Sequence, residues 1–174
     1  MKQGRFYQSK KSWDIFISYL GIVISLLIAM IIMILPLPGF VFWLKPDLVV
    51  LTVIYWAFYM PQRLGIIIAW ITGLFIDVFS GTLLGEHAFA LAIIIYFTIK
   101  LAMRVRLLPY IQQLVFIFGM MLIYQALIFW VQGLLGQLPN TSLYWLSSII
   151  STLAWPLVQF LLGKYALRLQ LSES

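Results

Sequence analysis

The sequence predicts an all-α polytopic membrane protein with six transmembrane helices and both termini in the cytoplasm. Three observations carry this. First, 64% of the 174 residues are hydrophobic and only 9% are charged, with a mean hydropathy of +1.06. A water-soluble domain of this size lacks the polar groups to cover such a surface, so much of its solvent is lipid. Second, the apolar runs are separated by short turns marked by proline, glycine and basic residues. Third, threading those runs alternately across a membrane puts ten of the eleven Lys and Arg residues on one side, the asymmetry of the positive-inside rule. The whole of 1–174 then reads as a single integral membrane domain.

The elements follow in order. Residues 1–14 form a basic cytoplasmic tail carrying Lys2, Arg5, Lys10 and Lys11. The apolar run 15–35 is long enough to cross a hydrocarbon core of about 30 Å. It is long for the apolar region of a signal peptide and ends in LPLPGF rather than a small-residue cleavage site, so it reads as an uncleaved anchor. Pro36, Pro38 and Gly39 end it, and Phe40, Phe42 and Trp43 suit an interfacial aromatic belt on the outer surface.

Pro46-Asp47 looks like a helix start, with the aspartate accepting bonds from the first free N–H groups at the positive end of the helix dipole. The second span, 48–59, is short, roughly 18 Å at the helical rise. It must tilt little, thin the bilayer, or borrow Lys45, Trp56 and Tyr59 as interfacial anchors; a re-entrant hairpin over 48–79 is the alternative. Arg63 lies in the turn to the third span, 64–79. There Gly65, Ala69, Gly73 and Asp77 recur four apart and share one face. Small residues at that spacing allow close helix approach, and the shared face points Asp77 into protein.

A loop with Gly81, Gly85, Glu86 and His87 leads to the fourth span, 87–103, whose end is crowded by Lys100, Arg104 and Arg106. The fifth, 110–135, contains Gln112, Gln113, Gln125 and Gln132. After an uncharged loop, Thr141 or Ser142 caps the sixth, 143–167, and Lys164 and Arg168 mark the C-terminal end. Of the eleven bases only Lys45 falls on the outer side, beside Asp47. The even span count that gives this bias disfavours the re-entrant hairpin.

Most chemistry is excluded by residue supply. There are no cysteines, which removes disulfides, thiolate metal sites and cysteine nucleophiles. The net charge of +6 sits in turns and tails rather than on a stripe with exposed aromatics, so no nucleic-acid role is expected. One histidine, His87, does not supply a metal ligand set. A lone interfacial His is more often solvated than a pH sensor. The glycines at 65, 73, 81 and 85 do not match a phosphate-binding loop, and no nucleophile elbow is present.

An intramembrane carboxylate such as Asp77 is a functional-site candidate by default. Asp47 could approach it from the outer side, as a paired-carboxylate protease would need, but Asp47 is already explained as a cap. Asp77 is therefore expected to fasten the Gly81–Gly85 loop or a neighbouring side chain. Structural hydrogen bonding of that kind needs polarity more than charge, so Asp77→Asn is expected to keep much of the function and Asp77→Leu to lower assembly or abundance. In the sixth span Ser148, Thr152, Trp155 and Gln159 lie near one face. Such a face lines a substrate cavity or, more commonly, bonds to neighbouring helices. No catalytic residue, cofactor or metal is expected.

The central stretch is similar to the rod shape-determining protein MreD family of bacteria. The matching elements are Pro46-Asp47-Leu48, Arg63 and Gly65, Gly73-Leu74-x-x-Asp77, and Gly81-x-x-x-Gly85 followed by an apolar helix. The part between Gly65 and Gly85 is the specific part. The flanks match in hydropathy, and the length and six spans agree over the chain. The resemblance implies a non-enzymatic inner-membrane scaffold of the cell-elongation machinery. It would bind an MreC-type protein and, more distantly, work with MreB, RodA and the penicillin-binding transpeptidase in lateral peptidoglycan synthesis. It also implies a fold similar to the S components of energy-coupling-factor transporters, so a small-solute-binding transporter subunit is the alternative function. On this resemblance Pro46, Asp47, Arg63, Gly65, Gly73, Asp77, Gly81 and Gly85 are the structural or partner-binding candidates.

Overall fold

The structure, a computed structural model, describes residues 2–35, 45–136 and 142–171. Among these it is all-helical: α1 (Lys2–Ile34), α2 (Leu48–Tyr59), α3 (Ile66–Ser80), α4 (Glu86–Val105), α5 (Tyr110–Leu134), a 3-10 turn (Ser142–Trp145) and α6 (Leu146–Leu171). The six expected helices are present. Three are long and apolar enough to cross a membrane, Glu86–Val105, Tyr110–Leu134 and Leu146–Gly163. The other apolar helical stretches, Tyr19–Ile34, Leu48–Tyr59 and Ile66–Ser80, are shorter. The aromatic stretch Phe40–Trp43 lies outside the described residues.

Some boundaries move. The first helix starts at Lys2 rather than at residue 15; the basic stretch contains no proline and is rich in Lys, Gln and Arg, which lose little on entering a helix. The sixth begins with a single 3-10 turn before continuing as α-helix, and Pro156 sits inside it.

The organising element is α2. Every residue from Val49 to Phe58 is buried, because α1, α4 and α6 all pack against it. A helix that is apolar all round belongs in such a core position. That explains its length: within the described structure its neighbours cover it, and it needs no interfacial anchors. Trp56 is accordingly not at an interface but wholly buried, its indole N–H donating to Ser25 Oγ on α1 at 2.8 Å. Tyr59 accepts a bond from Gln159 Nε2 on α6 at 3.1 Å, and Lys45 donates to the carbonyl oxygens of Met33 and Leu35. The three candidate anchors thus serve as internal ties.

The outer helices show the opposite pattern. On α1 the buried side chains Ile22, Leu26, Ala29 and Met30 form one stripe toward the core, while Val23, Ile24, Leu27, Ile28 and Ile31 are exposed. On α3, which packs chiefly on α4, Ala69, Thr72, Gly73, Ile76 and Asp77 are buried, while Ile67, Trp70, Ile71, Phe75 and Val78 are exposed. Apolar residues on both sides of a helix, polar ones only inside, is the arrangement that lipid selects.

Hydroxyls inside the bundle are largely satisfied within their own helices. Thr52, Thr72, Thr98 and Thr152 each donate to the carbonyl four residues earlier, at 2.7–2.8 Å, the back-bonding that keeps threonine tolerable in apolar surroundings.

Candidate functional site

The ends of α1, α3 and α5 meet the starts of α2, α4 and α6 at one end of the bundle. Three of the five acids, Asp47, Asp77 and Glu86, are here.

Asp77 lies in the last turn of α3 and is completely buried. The helix ends at Gly81, whose φ of +66° is left-handed and whose N–H returns to the Asp77 carbonyl, the usual glycine solution to a helix C-terminus. The chain then reverses and reaches Gly85 at φ +102°, the N-cap of α4. This tight path brings the next helix's free N–H groups onto the aspartate. Gly85 N donates to Oδ2 at 2.7 Å, and His87 N donates to Oδ1 at 2.8 Å. The His87 Nδ1 also lies 2.8 Å from Oδ1, and Thr82 Oγ1 makes a longer contact of 3.4 Å. Asp77 therefore caps α4 from the preceding helix, a carboxylate at the positive end of the α4 dipole.

The expected bonds to the Gly81–Gly85 loop are present, but the geometry corrects one expectation and bears against another. His87 is not a solvated surface histidine: its ring is held by Asp77. The use of both carboxylate oxygens as acceptors, where an amide offers one, argues against asparagine as an equal substitute.

Gly73 sits one turn earlier on the same face. A Cβ there would lie 2.3 Å from Ala88 Cα and 2.6 Å from Ala88 N, so only glycine lets α3 lie this close to the start of α4. Gly65 does not share that role. It is the extended N-cap residue of α3, and a Cβ would meet nothing within 4 Å; the regular spacing ran one turn past the contact.

Asp47 also departs from expectation. It precedes α2, yet its side chain makes no capping bond. Its N–H donates to Ser151 Oγ at 2.9 Å and its Oδ2 accepts from Ser147 Oγ at 3.3 Å, so it ties α2 to α6. Burial pushes its carboxyl above the ordinary value of 3.8, opposed by His87, the Ser147 bond and Lys45. No hydrogen bond among the described residues joins Asp47 to Asp77; the His87 ring is held by Asp77.

Further polar ties had weak sequence signals. Glu86 is buried and accepts from Gln132 Nε2 on α5 at 2.8 Å. Gln125 donates to the Tyr144 carbonyl at 3.0 Å and accepts from Ser148 Oγ, while Tyr144 Oη donates to the Gln125 carbonyl. Separations of 19 to 46 residues hide such pairs from local pattern. The only hint was a glutamine within an apolar run. On the sixth-span face, Ser148 bonds to Gln125 of α5 and Gln159 to Tyr59 of α2, while Thr152 bonds within its own helix and the buried Trp155 indole N–H has no partner among the described residues.

Between these ties is a cavity of about 540 Å³, lined by Pro46, Asp47, His87, Tyr124, Tyr144 and Ser147 together with apolar side chains of α1, α2, α3 and α5. At the other end, Arg106 donates to the Phe58 carbonyl at the C-terminus of α2 and its guanidinium lies over the Phe58 and Tyr59 rings, 5.6 and 5.7 Å from their centres. Arg63 is on that same side, in the turn after α2. The eight candidates are thus not one site. Pro46, Asp47, Asp77, Gly81 and Gly85 gather at one end, Gly73 lies midway along α3 against the first turn of α4, and Arg63 and Gly65 are at the other end. Among the described residues no three His, Asp or Glu side chains converge as a metal site.

Fold and site together define a helical membrane protein whose buried acids tie helices and loops together. The chain belongs to the rod shape-determining protein MreD family, whose family model matches residues 14–165. It is 29% identical over 147 residues to the rod shape-determining protein MreD of Haemophilus influenzae, covering 83% of this chain and 89% of that one. No solved structure gives a significant match. Membership assigns the chain to the determination of rod shape, a family of cell-shape proteins rather than a known enzyme family.

Proposed function

We propose that this protein is a non-enzymatic scaffold of the bacterial cell inner membrane, crossing it six times with both termini in the cytoplasm. In this reading it binds an MreC-type partner and helps organise lateral peptidoglycan synthesis, with MreB, RodA and its penicillin-binding transpeptidase more distant in the same machinery. The observation that carries the reading is the MreD family match over residues 14–165. Two features of the molecule support it. Asp77 and Glu86 are engaged by internal hydrogen bonds, a fastening use. The exposed faces of α1 and α3 are apolar along their lengths, which suits lipid and partner transmembrane helices.

Depletion from a rod-shaped host tests the reading. Cells should become round, and gently solubilised membranes should yield the protein together with an MreC-type partner. Rods of normal shape would refute the cell-shape role, and co-purification with a coupling ATPase in place of that partner would favour a solute-transport subunit.

A further inference from the structure

The cavity between the helix ends has the attributes of a binding site rather than a packing fault. Its volume of about 540 Å³ is within the range of small-molecule sites, about 300–1,000 Å³. Its walls are divided by chemistry. Ile32, Met33, Val49, Val50, Ile76 and Phe79 supply an apolar side. Three polar groups on the lining have capacity that the described residues leave unused. Tyr124 is only 3% exposed and lies on the cavity lining, and its hydroxyl makes no hydrogen bond among the described residues, so it is available to a ligand. His87 gives Nδ1 to Asp77, which leaves Nε2 for a ligand. Asp47 accepts from Ser147 through Oδ2, which leaves Oδ1.

The charges select the ligand. Asp47 is on the lining, and the buried acids Asp77 and Glu86 stand behind it on α3 and α4. Against these, the lone permanent cation on the described lining is Lys45, held by the carbonyl oxygens of Met33 and Leu35 where α1 ends. With Nδ1 engaged by Asp77, the other ring nitrogen of His87, Nε2, is the one left to the cavity. A carboxylate oxygen, an imidazole nitrogen and a phenol therefore face the cavity, an acceptor-rich set that suits an N–H-bearing cation. Lys45 in turn suits an anion beside that cation.

We propose that this cavity binds the head group of a zwitterionic, primary-amine phospholipid. Its ammonium lies among Asp47, His87 and Tyr124, its phosphate beside Lys45, and its first methylenes along the Ile76–Phe79 wall. The inference rests on the reading of the bundle as membrane-embedded, and goes beyond it by naming a ligand.

The test uses the full chain, first shown by fractionation to reside in membranes; recovery in the soluble fraction would indict the membrane reading separately. The protein is delipidated in detergent and titrated, by native mass spectrometry, with dihexanoylphosphatidylethanolamine, dihexanoylphosphatidylglycerol and O-phosphoethanolamine. The ethanolamine lipid should bind saturably and about tenfold or more tighter than the other two. Asp47→Asn and Tyr124→Phe should each weaken it by about fivefold or more while melting close to the parent protein. Equal affinity for the two lipids, unchanged affinity in both variants, or no saturable binding would each overturn the proposal. O-phosphoethanolamine binding as tightly as the lipid would overturn the phospholipid in favour of a free solute. If Asp47→Asn does not fold, Tyr124→Phe, which removes one oxygen from an unpartnered position, decides.

Discussion

Asp77 is the residue on which most of the local geometry converges. A carboxylate is unusual in this setting, and its retention is explained by arithmetic: two backbone N–H groups and one imidazole need acceptors at the start of α4, and only a carboxylate offers two oxygens in the right plane. In Asp77→Asn one oxygen becomes an NH2 that faces an N–H donor. The expected loss is about 1–3 kcal/mol, the cost of a buried donor left unpaired. Asp77→Leu should lose more, since it strands both N–H groups and frees His87. Thermal unfolding in detergent and abundance in the membrane measure both; an Asn variant as stable as the parent would contradict the two-acceptor account. Thr82→Val removes only the 3.4 Å contact and should stay within about 0.5 kcal/mol.

At the scale of elements, two contacts decide how helices sit. Gly73 lets α3 lie against the first turn of α4. Gly73→Ala would place a methyl 2.3 Å from Ala88 Cα and should destabilise by about 1–3 kcal/mol through overpacking. Gly65→Ala, on the same sequence spacing, meets nothing and should cost less than about 1 kcal/mol. Comparing the two melting shifts separates a packing glycine from one that only matches the pattern. Arg106 closes the other end of α2, donating to Phe58 O and covering the Phe58 and Tyr59 rings. Arg106→Gln should lower stability by about 1 kcal/mol, since a helix-terminal cation and a partly solvated cation–π contact are each worth about that or less. Lysine should rescue only in part, lacking the planar fork.

For the whole molecule, the arrangement is a fully buried short helix wrapped by longer ones. It places Lys45 at one end and Arg63, Lys100, Arg104 and Arg106 at the other. Positive-inside orientation then predicts that a reporter fused after Arg106 is cytoplasmic and one fused after Leu135 is on the far side of the membrane. Paired alkaline phosphatase and fluorescent-protein fusions report this directly, and the reverse pattern would break the six-span reading. The same orientation, if the fusions bear it out, would put the cavity with Asp47, His87 and Tyr124 on the far side, in reach of the outer leaflet.

The sequence by itself determined the helical class, the positions of the helices, the charge asymmetry and the importance of the Gly65–Gly85 stretch. These properties are local or compositional: hydropathy, proline and glycine breaks, and the four-residue recurrence that put Gly73 and Asp77 on one face. Even the loop bonds of Asp77 were legible, because Gly85 and His87 are eight and ten residues away. Tertiary structure alone decided the rest. That α2 is short because neighbours cover it, that Asp47 ties α2 to α6 instead of capping, that Glu86 meets Gln132, and that Tyr124 is left facing a cavity all depend on partners up to 104 residues apart. In a chain this apolar every helix carries nearly the same hydrophobic signal, so pattern does not say which one is central. Only the packed arrangement, in which α1, α4 and α6 all close on α2, resolves it.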